Sequence, residues 1–478
     1  MSTINFWDSD AWSILLIFTL LLGSLLTANI LKKTIPYLQK TLIPTSVLGG
    51  SILMIIAAVY KLIMKEGLFE SPLFGIGSTG EPVGRANLEL IIYHSLALGF
   101  IASSLKTTKN KLNKRRATEV FNTGITTVAT YLLQGSVGIA ITIIVAFFIP
   151  GFFKAAGMLL PFGFGQGTGQ ALNYGAMYEG LENGGFAGGT NFGITIAALG
   201  FLCASIGGVI HLNILRRRGR LKTAECEEII HSSEEIESPN EIPMQESCDK
   251  MTIQIAIIGV AYFITYAAMW LLGLLIPGMK STIYGFNFII GVLSAAFVKF
   301  VMNTLKRVNI IKKEYTNNFL LTRISNLFFD IMVVAGVAAI DLGALQDYWG
   351  IVIILAVAGL IVTYVYNRIV AKALFKRYSE EQFLMMYGML TGTASTGTIL
   401  LREIDGSFKT PAADNMIYQN LPAIAFGFPL MLIAGANFAP VKPGLALVVL
   451  TVSFILINIL LFRSAIFKRR ARHRRKKK

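Results

Sequence analysis

The sequence predicts an all-α polytopic membrane protein: two inverted-topology repeats of five transmembrane helices, each with a glycine-rich re-entrant segment, plus one extra C-terminal helix. Three observations carry this. The 478 residues are 54% hydrophobic and only 15% charged, where a soluble domain carries about 25%. Apolar runs such as 11–30, 88–105, 191–215, 253–276 and 445–462 have the roughly 17–25 residues that cross a hydrocarbon core. Two further segments, 155–178 and 383–402, are apolar but unusually rich in small and hydroxylated residues.

The charges order these runs. Five spans precede a polar stretch at 216–250: 11–31, 44–64, 88–105, 121–149 and 190–215. Six follow it: 252–276, 283–305, 324–342, 348–370, 415–437 and 443–467. If 155–178 and 383–402 each enter and leave on one side, every basic cluster falls on the same face. These clusters are Lys32/Lys33/Lys40, 106–116, 216–222, 306–313, 368–377 and the tail 468–478. The positive-inside rule then places the N-terminus outside and the C-terminus in the cytoplasm of a plasma-membrane protein. The first run has Asp8 and Asp10 before it rather than a basic flank, so it reads as a retained helix rather than a cleaved signal. The net charge of +16 collects at span ends, where it sets topology, and does not indicate nucleic acid. Cys203, Cys226 and Cys248 lack metal-ligand spacing.

This gives a first repeat over 1–215, an acidic cytoplasmic linker over 216–250, a second repeat over 251–437, and a final helix with a basic tail over 438–478. The halves share an order of features. GQGTGQA at 165–171 parallels LTGTAST at 390–396, setting Gly167 against Gly392. Asn191 and Asn420 each open an apolar helix further on, and 87–105 parallels 326–342 with Gly99 against Gly336. An odd number of spans in the first half turns the second upside down. Inverted repeats interrupted at corresponding places point to a secondary transporter.

The interruptions suggest where a ligand sits. Within lipid, backbone leaves helical pairing only where protein buries it or it lines a cavity. Helix N-termini there attract anions, and freed carbonyls hold small cations. The candidate substrate-binding residues are Gln166, Gly167, Thr168, Gly169, Gln170 and Asn173 in the first segment. In the second they are Thr391, Gly392, Thr393, Ser395 and Thr396, with Arg402 as a bidentate partner for a carboxylate or, alternatively, a surface anchor. Small residues for close helix packing are the competing explanation of both segments. Asp330, an acid within an apolar span, reads either as a sodium or proton site or as a structural pair with a hydroxyl or basic neighbour. Asn191 and Asn420 are N-caps or sodium ligands. No cofactor is expected beyond coupling sodium ions. No HExxH, GxSxG or paired intramembrane carboxylates indicate an enzyme. A channel needs no paired gates. The expected partners are a small anion, sodium and the bilayer, with a homodimer left open.

The motifs GFGQGTGQALNYG, TGTASTG and IPTSVLGG (43–50) resemble the glutamate:sodium symporter family. The likeness follows feature order along nearly the whole chain, with residue matches concentrated in those stretches. It implies sodium-driven uptake of an acidic amino acid at two loops entering from opposite faces. The chain departs from that family's better-known pattern in Gln166, its threonine-rich second loop and Asp330. A citrate-like carboxylate carrier and a sodium/proton exchanger are therefore the alternatives.

Overall fold

The computed structural model describes residues 7–463 apart from 8, 41–42, 78–80, 107–113, 182–183, 220–240, 245–247, 278–279, 342, 344–347 and 406–409. Most of the linker and the basic tail lie outside the described residues. In chain order the helices are α1 (Ser9–Thr34), α2 (Pro36–Lys40), α3 (Thr45–Met64), α4 (Gly84–Leu105), α5 (Lys114–Phe148), α6 (Leu159–Glu179) and α7 (Gly189–Arg217). Then come α8 (Lys250–Leu275), α9 (Lys280–Gly285), α10 (Asn287–Arg307), α11 (Asn318–Ala338) and α12 (Trp349–Leu374). The last are α13 (Ser379–Thr391), α14 (Ala394–Arg402), α15 (Ala412–Tyr418), α16 (Asn420–Ala434) and α17 (Pro443–Leu461).

Ten of these are long and apolar enough to cross a membrane: α1, α3, α4, α5, α7, α8, α10, α11, α12 and α17. Their apolar side chains stay exposed, as at Phe263 and Leu456, which suits lipid and not water. The chain is a multi-pass membrane protein. The eleventh expected span, 415–437, is instead divided into α15 and α16. Pro422 has no N–H to offer the carbonyl of Tyr418 one turn back, and the helix is interrupted there. What remains is a 15-residue helix with Pro429 inside it.

The chain gathers into two compact units, and each draws on both halves of the sequence. Unit 1 holds 1–38, 45–111 and 228–342; unit 2 holds 39–44, 112–227 and 343–478. Unit 1 therefore contains α1, α3 and α4 with α8 to α11. Its core joins Ile101 and Leu105 to Ile258, Ala261, Ala295, Leu321 and Ile324. Asp249 starts α8 by accepting from the Met251 N–H at 2.8 Å, and Asn317 starts α11 by accepting from the Leu320 N–H at 2.8 Å. Both are standard N-cap chemistry.

The glycines of IPTSVLGG have a packing role in this unit. A methyl at Gly49 would lie 3.2 Å from the Ser24 carbonyl oxygen of α1, and one at Gly50 would lie 2.8 Å from the Val334 carbonyl oxygen of α11. Their small size lets α3 approach both neighbours. The segments that correspond between the sequence halves also meet: Ser325 on α11 donates to the Gly99 carbonyl on α4 at 2.9 Å, and the Phe329 ring covers Gly99.

Unit 2 contains α5 to α7 and α12 to α17. One core cluster is built on Phe383, Met386, Tyr387 and Leu390 of α13 with Leu212 of α7 and Leu400 of α14. Helices α6 and α7 run closely together. A methyl on Gly175 would meet the Gly189 carbonyl oxygen at 2.5 Å, and one on Gly193 would meet that of Ala171 at 2.5 Å. Part of the glycine content of 160–175 therefore serves packing.

Candidate functional site

Unit 2 contains both interrupted segments, and each breaks at the glycine that the sequence comparison pairs. Helix α6 is non-helical inside at Gly167, with φ 80° and ψ −172°. That is a region open to glycine and closed to other residues at modest cost. The second break separates α13 from α14 at Gly392 (φ −140°, ψ −107°) and Thr393 (φ −139°, ψ 172°). Thr393 opens α14 without a side-chain cap, so the first N–H groups of α14 have no capping oxygen from it.

One turn of α5 holds both breaks. The Tyr131 hydroxyl donates to the Gly165 carbonyl at 2.9 Å. Gln134, one turn on, donates through Nε2 to the Leu390 carbonyl at 2.9 Å and to Thr363 Oγ1 of α12 at 2.8 Å. Gly165 and Leu390 each stand two residues before a break. Helix α7 touches both from elsewhere. A methyl on its Gly200 would meet the Thr391 carbonyl oxygen at 2.5 Å and Phe164 Cδ2 at 3.1 Å, and Phe201 lies against Gly392. The two breaks are thus neighbours, fixed by α5 and α7.

The polar residues at the breaks are mostly enclosed. Thr168, Gln170, Thr391 and Thr396 are fully buried, and Asn173 is nearly so. Thr391 returns its hydroxyl to the Tyr387 carbonyl at 2.5 Å, and Thr393 and Thr396 stand 3.4 Å apart through their hydroxyl oxygens. Gln170 is 0% exposed, and neither its Oε1 nor its Nε2 has a hydrogen-bond partner among the described residues. Gln166 Nε2 and Gln134 Oε1 are likewise buried and unpartnered. Buried polar atoms are nearly always paired, so an orphaned amide calls for a reason.

The break region is anchored at the start of α13. Glu380 accepts from Arg368 Nη2 at 2.7 Å and from His211 Nε2 at 3.0 Å, and His211 Nδ1 faces the Tyr364 hydroxyl at 2.8 Å. Burial would push the Glu380 carboxyl up. Hydrogen bonds and charge from His211 and Arg368 outweigh it and hold the group down at about 2. The carboxylate only accepts, so Nε2 carries a proton. Further along α5, Thr127 donates to Gln419 Oε1 at 2.7 Å, and Gln382 Nε2 donates to Thr123 Oγ1 at 3.3 Å.

The other expected residues are placed as follows. Gly169 is buried just after the first break. Ser395 lies in the first turn of α14, and its side chain is outside those described. Arg402 is exposed in the last turn of α14, a helix away from Gly392. Asn191 is buried in α7 and Asn420 is half-buried in α16. Neither is an N-cap, since Gly188 and Gln419 hold those positions. Asp330 belongs to α11 in unit 1, where Ser46 donates to its carboxylate. Asn191 and Asn420 lie in unit 2. Tyr131 and Gln134 were not anticipated. The available signal was a polar stripe, Thr123, Thr126, Thr127, Thr130, Tyr131 and Gln134, inside a long membrane-length helix.

No protein-family model matches the chain, and comparison with curated proteins finds no match.

Proposed function

We propose that this protein is a secondary active transporter that takes up a small organic anion, glutamate or a similar carboxylate, together with sodium by alternating access. The observation that carries the reading is the pair of helix breaks held side by side in unit 2, with Gln170, three residues after the first, fully buried and both its amide atoms unpartnered among the described residues. A ligand with donors and acceptors would satisfy that amide. The N-terminus of α14 favours a negative group, and freed carbonyls near the breaks favour a small cation.

The make-up of the units supports an inverted repeat. Unit 1 takes the first three spans of each half. Unit 2 takes the next span, the broken segment and the helix after it from each half, together with α17. In this reading 155–178 and 383–402 are re-entrant, the N-terminus is outside and the basic span ends are cytoplasmic. The resemblance to glutamate:sodium symporters supplies the substrate class.

Energetics favours more than one coupled ion. A tenfold sodium gradient is worth about 1.4 kcal/mol per ion, and a 100 mV potential about 2.3 kcal/mol per net charge. One sodium with a monovalent anion is electroneutral and gains only the first of these. Two sodium ions with the same anion gain about 5 kcal/mol. The test is uptake by purified protein in liposomes, using labelled acidic amino acids and di- and tricarboxylates with and without an inward sodium gradient. Accumulation above equilibrium that requires sodium is expected. Equilibration without accumulation would make the protein a passive pathway and defeat the proposal.

A further inference from the structure

At the C-terminal end of α10, in unit 1, a pocket of about 60 Å³ is lined by three lysines, Lys299, Lys306 and Lys313, with Asn303, Glu314 and Tyr315 among its walls. Two of the lysines are fixed in place. Lys299 Nζ donates to the Lys106 carbonyl at 2.6 Å and the Ser104 carbonyl at 3.4 Å, covering the end of α4. An ammonium has three N–H groups, so a third remains. Lys306 Nζ stands 2.8 Å from Glu314 Oε1. Lys313 is exposed. Three lysines against one glutamate leave the pocket cationic.

The floor is built, not a loose surface loop. The Glu314 backbone carbonyl accepts from the Ile242 N–H at 3.1 Å, and the Tyr315 carbonyl accepts from Gln254 Nε2 at 2.7 Å. The Asn317 N–H donates to Gln254 Oε1 at 3.0 Å. Behind them Lys250 and Glu241, both buried, pair at 3.0 Å, and Asn317 donates to the same Glu241 oxygen at 2.6 Å. Met302 and Ile311 add apolar lining to the pocket. Next to it in sequence, Val308 and Ile310, which follow α10, are 59% and 71% exposed. Exposed aliphatic side chains at the end of a membrane-length helix mark the depth at which acyl chains meet headgroups.

We propose that this pocket binds the phosphate of an anionic phospholipid. Cations with open N–H groups meet the phosphate oxygens, and Met302 and Ile311 with the exposed aliphatic residues after α10 meet the start of the acyl chains. A free phosphate would satisfy only the first. Basic pockets at the ends of membrane helices recognise anionic headgroups in this way.

Thermal unfolding of the delipidated full-length protein, titrated separately with phosphatidylglycerol, phosphatidylcholine and inorganic phosphate, tests it. Phosphatidylglycerol is expected to stabilise at the lowest concentration, with phosphatidylcholine and phosphate well behind. Lys313→Glu keeps the Lys306–Glu314 pair and changes only an exposed position, so it should fold. It should raise the half-saturating phosphatidylglycerol concentration by at least about fivefold, the worth of one lysine near a membrane surface. Lys306→Gln should raise it as well. Equal stabilisation by phosphatidylcholine, an unchanged response in both variants, or stabilisation by phosphate matching that by phosphatidylglycerol would each overturn the proposal.

Discussion

Replacing Gln170 with methionine should stabilise the ligand-free protein and remove its function. The side chain is fully buried, and its amide has no partner at either end among the described residues. Leaving a buried donor or acceptor unsatisfied costs about 1–3 kcal/mol. Methionine has nearly the same length, is flexible enough to fill the same space and asks for no hydrogen bond. Gln170→Met should therefore raise stability by about 1–3 kcal/mol. In a domain of this size that is about 2–4 °C in melting temperature for each kcal/mol. The same change deletes the group offered to substrate, so uptake and the stabilisation caused by added ligand should fall together. The assay is thermal unfolding of purified protein with and without substrate and sodium, alongside uptake in liposomes. A variant that melts lower than the parent would show that the amide holds the fold. A variant that transports normally would remove Gln170 from the site.

Other predictions follow from the same geometry. Gly167→Ala forces a side chain onto a φ of 80°, a cost of about 1–3 kcal/mol, and should abolish uptake while the protein still inserts. Gly392→Ala should be milder in strain, because its φ of −140° is open to alanine. Its methyl would come within 2.9 Å of Thr396 Oγ1 and 3.1 Å of the Gly388 carbonyl oxygen, so substrate and sodium affinities should weaken more than stability; near-normal affinities in both glycine variants would return the breaks to a packing role. Asp330→Asn retains an acceptor for Ser46 and should leave folding and sodium dependence of uptake unchanged, whereas lost sodium dependence would place a coupling ion at Asp330. Cysteines introduced into the loops at 179–189 and 403–414 should react with impermeant reagents from outside and inside respectively, and labelling from one face would defeat the inverted topology.

The breaks were legible in the sequence because their cause is local. Gly167 and Gly392 are the residues at which the chain leaves helical geometry, and each sits in a polar, small-residue segment between apolar runs. What holds them together was not legible. Tyr131 and Gln134 are ordinary polar residues in a long helix, and only tertiary packing brings one turn of α5 to carbonyls far apart in sequence. Local reading also ran Gly163, Gly175 and Gly167 together. The first two let α6 lie against α7, and the third supplies the backbone angle. The span expected over 415–437 is divided into α15 and α16, because Pro422 has no N–H for the Tyr418 carbonyl. Asp330 drew attention as an acid at membrane depth, and its pairing with Ser46 and its membership of unit 1 depend on contacts that a one-dimensional pattern does not encode.

The most direct test of the paired-break site is hydrogen–deuterium exchange on the unmodified protein, following peptides that cover 162–174 and 387–398. If both breaks line one ligand site, adding the transported acid together with sodium should slow exchange in both peptides at the same ligand concentration. Neither acid nor sodium alone should have the full effect. Protection of one segment without the other, or of neither under conditions where the protein transports the acid, would contradict the account.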